Sequence, residues 1–396
     1  MEITDVETIL LSCPIPEGEE WKLGGIFGSG TRGVKSDMVI VRIHTNEGIT
    51  GIGEPSPYGR ARRLEDSIER LKPHIVGTDP HDVDLIMNSH FGIGLGGGPD
   101  RYALAGIDMA CWDVIGKAAG QPVSKLLGGR YADEVAVYAS GGIDWEYVED
   151  PEILIEEARG YLDAGFEAFK FRIGPDRRFL TAIEALSEAV GDEMELILEG
   201  NARFRNVPEA VRMAEGFRKF EPRWFEEPLD TTNVEGYREL RRAIPDVQIT
   251  GGESKTGAAE CKPWIDSRAY DVVQPDANVM GITETKRVAD LARLEGLACI
   301  PHSWHNAITM AANLHVVASI PNRDLLELQR TWHWSAEPFR WDVLKDPIEL
   351  NDGFLSVPDG PGLGIELDED VIEEYPYVEG PVQESWDGPG GEPQPI

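Results

Sequence analysis

The chain has 396 residues, of which 71 are acidic and 37 are basic, so its net charge at pH 7 is −34. Nucleic acid and anionic membranes would repel such a chain, and we expect neither as a partner. The apolar fraction of 41% is that of a globular protein and argues against disorder. A chain of this length has room for two domains, one of which could be a complete barrel.

Lysine is scarce among the basic residues, because 11 of the 37 are lysine and 26 are arginine. Dense carboxylates stay hydrated in concentrated salt, while the salt screens their mutual repulsion. The composition therefore indicates a halophilic protein, adapted to a cytosol of high salt concentration. The alternative is an ordinary acidic enzyme.

The four cysteines are scattered and lack the spacing of a zinc site. We expect free, mostly buried thiols in a reducing compartment. The N-terminal segment MEITDVETILLSC carries acidic residues where a signal peptide needs basic ones. No apolar stretch is long enough to span a bilayer. The sequence thus predicts a soluble, cytoplasmic protein.

Residues 1–57 have the alternating pattern of β-strands, with Asn46-Glu47-Gly48 as the turn of a hairpin. Residues 28–33 match the glycine-rich motif G-x-G-x-x-G, which binds dinucleotides when it lies between a strand and a helix. Here a predicted strand follows the motif, so we reject dinucleotide binding. Residues 61–129 are predominantly helical in pattern, and Gly120 ends the longest helix. Strands followed by helices predict an α+β domain over residues 1–130.

Beyond this domain, short apolar runs alternate with amphipathic helical segments. The runs are VAVYAS, AFKFRI, LILEG, WFEEP, QITGGE, VVQPD, ACIPH and LLEL. Eight strands, most of them separated by one helix, predict a parallel α/β barrel over residues 131–340. The segment 379–396 is rich in Pro, Gly and Glu, and we expect a flexible tail without a function.

From the second run onward, each predicted strand ends on an ionisable residue. In chain order these are Lys170, Glu199, Glu226, Glu253, Asp276, His302 and Glu327, at intervals of 23 to 29 residues. Equivalent strand ends of a barrel converge on one mouth, where barrel active sites lie. Seven ionisable groups gathered in one mouth would be costly without a function, so they predict an active site.

Glu199, Glu226 and Glu253 are carboxylates on three consecutive strands. Without a cation their repulsion would raise their pKa values. Oxygen ligands suit a hard divalent metal, and the sequence predicts one Mg²⁺ per subunit, with Mn²⁺ as the alternative ion. Side chains alternate along a strand, and we assign Glu226 rather than Glu227 to the inward position.

The chain resembles the enolase superfamily, in its mandelate racemase and muconate-lactonizing branch, up to about residue 370. The motifs that carry the resemblance are IDMACWDVIGKAAGQPVSKLLGG, WFEEP, GGES, QPDANVMGIT, IPHSWH and VPDGPGLGIEL. It implies a modified (β/α)7β TIM barrel whose mouth is covered by the N-terminal domain. Residues 341–378 would complete that capping domain, and its loops at about 16–35 and 55–60 would close over the substrate.

The resemblance also implies a reaction, the removal of the proton α to a carboxylate. His302 would be the base, oriented by Asp276, because a carboxylate on one ring nitrogen raises the basicity of the other. Lys170 would hold the substrate carboxylate, and Glu327 would hydrogen-bond it as charge develops. The same likeness gives Glu199, Glu226 and Glu253 as the metal ligands.

Two departures from the family pattern bear on the reaction. Relatives usually carry Lys-x-Lys on the second strand, whereas here Lys170 is followed by Phe171 and Arg172. Arginine is a poor general base, so Arg172 would grip the substrate carboxylate or a hydroxyl, and a two-base racemisation is disfavoured. Glu199 stands where Asp is commoner, but its longer side chain still offers a ligand.

We expect Asn201, Trp304 and His305 to contact the substrate. His305 is also a rival to His302 for the role of base.

The sequence predicts a dehydratase that converts a sugar acid to a 2-keto-3-deoxy acid. A racemase or epimerase of a 2-hydroxy acid is the alternative, and a non-catalytic barrel homologue is a second. A metal-free, phosphate-dependent isomerase would need a glycine-rich loop that PHSWHNAIT does not supply. We expect a homo-oligomer, a dimer or an octamer, acting on a small-molecule carboxylate.

Overall fold

The computed structural model describes residues 1–24, 30–57, 61–89, 99–329, 337–386 and 394–395. The predicted closing loops at 16–35 and 55–60 therefore lie partly outside the described residues, and so does the tail. Within the described ranges, no helix is both long and apolar enough to cross a bilayer.

Within the described residues, the first third of the chain forms five strands and four α-helices. They are β1 (Ile3–Pro14), β2 (Lys22–Gly24), β3 (Gly30–Gly33), β4 (Lys35–Thr45), β5 (Thr50–Gly53), α1 (Ala61–Ile75), α2 (Val83–Ser89), α3 (Pro99–Ala119) and α4 (Val123–Leu126). Strands β1, β4 and β5 form an antiparallel sheet in that order, and the predicted hairpin turn lies between β4 and β5. Strand β3 pairs with β2 and is followed by another strand, which agrees with rejecting a dinucleotide site.

Helix α3 packs directly on strand β5, and two glycines allow the close approach. A Cβ atom on Gly51 would collide with the carbonyl oxygen of Ala110, and one on Gly53 would collide with that of Gly106. Only glycine permits two backbones to come this close. The capping domain has its own apolar core between this sheet and helices α1 to α3.

The second part of the chain forms eight short strands separated by helices. They are β6 (Glu134–Ser140), α5 (Glu152–Asp163), β7 (Ala168–Arg172), α6 (Arg178–Val190), β8 (Glu195–Glu199), α7 (Val207–Phe217), β9 (Phe225–Glu226), α8 (Val234–Ala243), β10 (Ile249–Gly251), α9 (Ala258–Asp266), β11 (Val272–Val273), α10 (Ala277–Leu294), β12 (Ala298–Cys299), α11 (Ala307–Ala318) and β13 (Leu326–Gln329). Each predicted run supplies one strand, in the predicted order.

Strands β6 to β12 pair in parallel with their neighbours in chain order, and β13 pairs in parallel with β6. This arrangement is the eight-stranded, seven-helix barrel that the resemblance implied. The seam lies between β12 and β13, for which the described residues show no continuous ladder. A large apolar core joins the barrel strands to the surrounding helices.

The remaining elements are α12 (Glu337–Trp341), β14 (Leu350–Asn351), β15 (Phe354–Ser356), α13 (Glu369–Glu374), β16 (Gln383–Trp386) and β17 (Gln394–Pro395). Strand β15 extends the barrel sheet by pairing antiparallel with β6. Further on, the carbonyl oxygen of Tyr375 accepts a hydrogen bond of 3.3 Å from the amide of Ser12. The segment 341–378 thus contacts both the barrel and the capping domain, and its assignment to the capping domain stays a prediction.

Residues 383–386, within the segment predicted to be a flexible tail, form a strand. Strand β16 pairs antiparallel with β3, so that Gln383 lies opposite Gly33 and Glu384 opposite Arg32. Arg32 also donates a hydrogen bond of 3.1 Å to the Glu384 carboxylate. The composition of the tail could not reveal this strand because its partner lies about 350 positions away in the chain. The segment 387–393 lies outside the described residues.

Candidate active site

A cavity of about 400 Å³ lies between the barrel mouth and the capping domain. Its barrel wall includes seven predicted site residues, namely Arg172, Glu199, Asn201, Glu253, His302, Trp304 and His305. Because the strand ends of a barrel converge on one face, residues more than 100 positions apart share this wall. The three residues expected to contact the substrate, Asn201, Trp304 and His305, all face the cavity.

The three glutamates come together at the floor of this cavity. One carboxylate oxygen from each of Glu199, Glu226 and Glu253 lies within 4.8 Å of the others. Glu226 is fully buried, whereas the side chain of Glu253 is 22% exposed. Burial raises the pKa of Glu226, and it raises that of Glu253 well above its ordinary value despite the nearby His302. The group is able to hold a metal ion.

Glu227 is not among the three carboxylates of this group. Its carboxylate accepts a hydrogen bond of 3.1 Å from the amide of Gly252. Burial raises the pKa of Glu227 to about 7, and the nearby Glu226 adds to the effect. Glu226 itself accepts hydrogen bonds from Trp224 at 3.0 Å and from Gln274 at 2.6 Å. Both donors fix the inward carboxylate at the end of β9.

Lys170 lies beneath the carboxylates and is fully buried. Its ammonium forms ion pairs with Glu226, with Glu327 at 2.9 Å and with Glu199 at 3.4 Å. Burial would lower the pKa of Lys170, but these carboxylates outweigh it and hold the pKa well above its usual range. Lys170 is not part of the cavity wall, so its predicted contact with the substrate stays a prediction.

Arg172 lines the cavity and is held from several directions. Its guanidinium donates hydrogen bonds to the carbonyl oxygen of Gly141 at 2.8 Å and to Ser140 Oγ at 3.2 Å. It lies 3.1 Å from Glu199 and stacks on the Trp304 ring at 3.9 Å. The side chain is thus a fixed positive charge rather than a group that can exchange a proton.

Asp276 and His302 form the predicted pair. His302 Nδ1 lies 2.7 Å from Asp276 Oδ2, which leaves Nε2 facing the glutamates, 3.4 Å from Glu253 and 3.7 Å from Glu327. Burial would lower the pKa of His302, but the carboxylates of Glu253, Glu327 and Asp276 raise it well above its ordinary value. A cation bound at Glu253 would offset part of this effect and bring His302 closer to the range of a base.

His305 reaches the same carboxylate oxygen as His302. Its Nε2 lies 2.8 Å from Asp276 Oδ2, and the centroids of the two imidazole rings are 5.5 Å apart. The other oxygen of Asp276 accepts a hydrogen bond of 2.9 Å from the amide of Asn278, at the start of α10. The helix start therefore fixes Asp276, and Asp276 in turn fixes both imidazole rings.

Glu327 ends the last strand and completes the predicted series. Its Oε2 accepts a hydrogen bond of 3.0 Å from the amide of Ser303. Burial would raise the pKa of Glu327, but Lys170 and His302 hold it well below its usual range. All seven strand-end groups thus lie in one connected cluster at the barrel mouth.

Several polar residues at or near the cavity were not identified from the sequence. Glu54, from the end of β5, is fully buried and accepts hydrogen bonds from Asn306 at 2.6 Å and from the amide of Thr309 at 3.0 Å. Lys35 and Asp37 line the cavity from strand β4, and Arg340 lines it from α12. The polar ending of the β5 run could have identified Glu54, whereas the other three belong to segments without a motif.

The comparisons with known proteins agree with this geometry. Residues 154–371 match the family described as Enolase C-terminal domain-like, and residues 26–128 match the mandelate racemase / muconate lactonizing enzyme N-terminal domain. A relative from Agrobacterium fabrum, D-galactarolactone cycloisomerase, is 32% identical over 95% of this chain and 99% of its own. D-gluconate dehydratase from Thermoproteus tenax is 30% identical over 86% of this chain and 70% of its own.

A solved structure shows the same fold over nearly its whole length. The crystal structure of a member of the enolase superfamily from Polaromonas sp. JS666 covers 96% of this chain and 99% of its own. It has a TM-score of 0.86 and 32% sequence identity. These findings confirm the resemblance derived from the motifs. The chain is an enzyme that belongs to the enolase superfamily, in its mandelate racemase / muconate lactonizing enzyme group.

Proposed function

We propose that this enzyme dehydrates a sugar acid, an aldonate or aldarate, to a 2-keto-3-deoxy acid with the help of Mg²⁺. The observation that carries the proposal is the asymmetry of the site. The site holds one imidazole oriented by Asp276, whereas Arg172, at the position where relatives usually carry a second lysine, is fixed by four contacts and does not act as a base. The name of the Thermoproteus tenax relative supports the same reaction class.

The three glutamates fit a divalent metal. Their oxygens are close enough to share one ion, and they are hard ligands of the kind that Mg²⁺ prefers. Among the described residues, the buried Oε2 of Glu199 accepts no hydrogen bond, although it lies 3.4 Å from the Lys170 ammonium and 3.1 Å from Arg172 Nε. When bound, the metal would supply Lewis-acid stabilisation of the negative charge that develops on the substrate carboxylate.

The protein residues would then act on the substrate in order. His302 Nε2 takes the proton from C2, while Asp276 holds the opposite ring nitrogen. Lys170, Arg172 and Glu327 stabilise the substrate carboxylate through charge and hydrogen bonds. The electron pair of the broken C–H bond forms the C2–C3 double bond, and the C3 hydroxyl takes a proton from the His302 imidazolium and leaves as water. Tautomerisation of the resulting enol gives the 2-keto-3-deoxy acid.

The second candidate is a cycloisomerase acting on a lactone of a sugar diacid. Removal of the same α proton would expel the ring oxygen as a carboxylate, so the ring opens without loss of water. The observation that favours it is the Agrobacterium fabrum relative, which this chain matches over 99% of that protein. Racemisation of a 2-hydroxy acid is less favoured because it needs a base on the side that Arg172 occupies.

Other parts of the proposal follow from the fold. We propose that residues 1–130 cap the barrel of residues 131–340, and that the enzyme works as a homo-oligomer, a dimer or an octamer. A non-catalytic homologue would be expected to have lost the base or a ligand. Within the described residues all seven strand-end groups are present and lie close together, which supports catalysis.

A substrate screen separates these candidates. The enzyme with Mg²⁺ would be incubated in molar KCl with aldonic acids, aldaric acids and aldarolactones, and 2-keto acid would be measured. We expect product from an open-chain acid, no activity after EDTA treatment and desalting, and no turnover by His302→Asn. Product from lactones alone would favour the cycloisomerase, and inversion at C2 without a 2-keto product would favour the racemase. Full activity without metal would refute the proposed site.

A further inference from the structure

We propose that Glu54 of the capping domain is a positioning residue for the active site, because it holds the loop that carries His302 and His305. This loop, residues 302–306, joins strand β12 to helix α11 and is called the histidine loop below. Glu54 is not among the described residues that line the cavity, and it acts on the histidine loop through Asn306. The inference rests on the proposed active site and adds to it a residue from the other domain.

The start of helix α11 shows how the histidine loop depends on the capping domain. Within the part of the chain that the structure describes, the N-cap residue Asn306 makes no side-chain hydrogen bond to the first turn of this helix. An asparagine at this position ordinarily accepts one. Glu54 takes over this role, because its Oε2 accepts a hydrogen bond of 3.0 Å from the amide of Thr309. Its Oε1 accepts one of 2.6 Å from Asn306 Nδ2. A single side chain thus caps the helix and fixes the residue that ends the loop.

Asn306 passes this constraint on to the cavity wall. Its Oδ1 accepts a hydrogen bond of 3.3 Å from Arg340 Nε, and Arg340 Nη2 donates one of 3.0 Å to the carbonyl oxygen of Trp304. The Trp304 ring in turn stacks on the guanidinium of Arg172, which lies 3.9 Å from the ring centroid. All four of these residues line the cavity. Glu54 therefore begins a continuous chain of contacts that ends at a group proposed to bind the substrate carboxylate.

Asp108 provides a matched comparison at the same domain interface. Like Glu54, it is a fully buried carboxyl group of the capping domain that binds a barrel helix. It accepts hydrogen bonds from the hydroxyl of Thr283 and, at 3.0 Å, from the amide of Thr283, just after Gly281 interrupts α10. The Thr283 hydroxyl accepts a further hydrogen bond of 2.9 Å from Trp112 Nε1 in α3. This chain of contacts returns to the capping domain, and none of its members is among the described residues that line the cavity.

The first test compares Glu54→Met with Asp108→Leu, each of which replaces a carboxylate by an apolar group of similar shape. Both variants should unfold at a lower temperature, because each leaves buried donors without a partner. In Glu54→Met we expect kcat for the sugar acid to fall about 10- to 100-fold while KM changes less, since Arg172 acts on charge that develops in the transition state. Asp108→Leu, assayed below its unfolding transition, should keep the parental kcat and KM. A parental kcat in Glu54→Met, or equal losses of kcat in both variants, would overturn the inference.

A double-mutant cycle tests whether Glu54 acts through Asn306. Asn306→Ala breaks the link to the cavity wall but leaves the hydrogen bond between Glu54 and the amide of Thr309 in place. We expect this variant to lose kcat on its own, and the additional change Glu54→Met to cost much less kcat in this background than in the parent. The added change should still lower the unfolding temperature. Losses of kcat that multiply would mean that Glu54 acts independently of Asn306, and would overturn the inference.

Amide hydrogen exchange tests the same inference without turnover. In Glu54→Met we expect faster exchange in the histidine loop and at Thr309 than in the parent. Asp108→Leu should accelerate exchange around Thr283 and leave the histidine loop unchanged. Parental exchange in the histidine loop of Glu54→Met would overturn the inference. Because this measurement needs no substrate, its result stands even if the parent forms no 2-keto acid, an outcome that would refute the proposed dehydration alone.

Discussion

A buried histidine at the junction of three chain segments makes stability depend on pH. His315 in α11 accepts a hydrogen bond of 3.3 Å at Nδ1 from the amide of Ser124. Its Nε2 lies 3.0 Å from the carbonyl oxygen of Leu363, which can only accept, so this nitrogen carries the hydrogen. Both nitrogens are thus used by the neutral ring. Burial lowers the pKa of His315 from its ordinary value of 6.5 to about 4.

The size and sign of the effect follow from this shift. The unfolded chain binds the proton more readily than the folded protein, so the free energy of unfolding rises with pH between about 4 and 6.5. The contribution is fully present above pH 6.5 and is lost as pH falls. A shift of about 2.5 units corresponds to about 3.4 kcal/mol in all. At about pH 5.5 we expect a loss of about 1.4 kcal/mol.

The assay compares the parent with His315→Gln, which keeps a donor for Leu363 but cannot titrate. Urea unfolding would be measured in KCl at neutral pH and at about pH 5.5, above the sequence pI of about 4.5. The parent should lose about 1.4 kcal/mol more than the variant over this interval. Identical pH dependence in the parent and His315→Gln would refute the reasoning.

Two further predictions concern the tail and the surface charge. Truncation after Gly380 removes strand β16 and the cavity-lining Val382 and Gln383. We expect KM for the sugar acid to rise while kcat changes less, because the truncation leaves the reacting groups in place. Steady-state kinetics would measure both constants, and an unchanged KM would contradict a role of Val382 and Gln383 in substrate binding. The net charge of −34 predicts that Tm rises between dilute and molar KCl as repulsion is screened. A scanning fluorimetry series would measure it, and a Tm independent of KCl would exclude the halophilic interpretation.

Much of the active site could be predicted because its signals are local. Each ionisable residue follows a short apolar run, and the interval of 23 to 29 residues matches one strand and one helix. The alternation of side chains along a strand indicated that only one of Glu226 and Glu227 faces the mouth, and Glu227 instead accepts a hydrogen bond from the amide of Gly252. The sequence pattern thus predicted that seven residues lie together at the barrel mouth.

Other features depended on contacts that no local pattern encodes. The burial of Lys170 depends on where three carboxylates from other strands place their oxygens. Likewise, spacing alone could not show that His302 and His305 share one oxygen of Asp276, because this requires the direction of each side chain.

The sequence by itself therefore determined the family, the order of the strands and the identity of the ionisable groups. These properties follow from chain periodicity and from the residue type at each strand end. Only the tertiary structure decided which groups touch, which of them face the cavity and that strand β16 pairs with β3. Such contacts are set by packing between segments that are distant in the chain, and a sequence pattern records only neighbours along it.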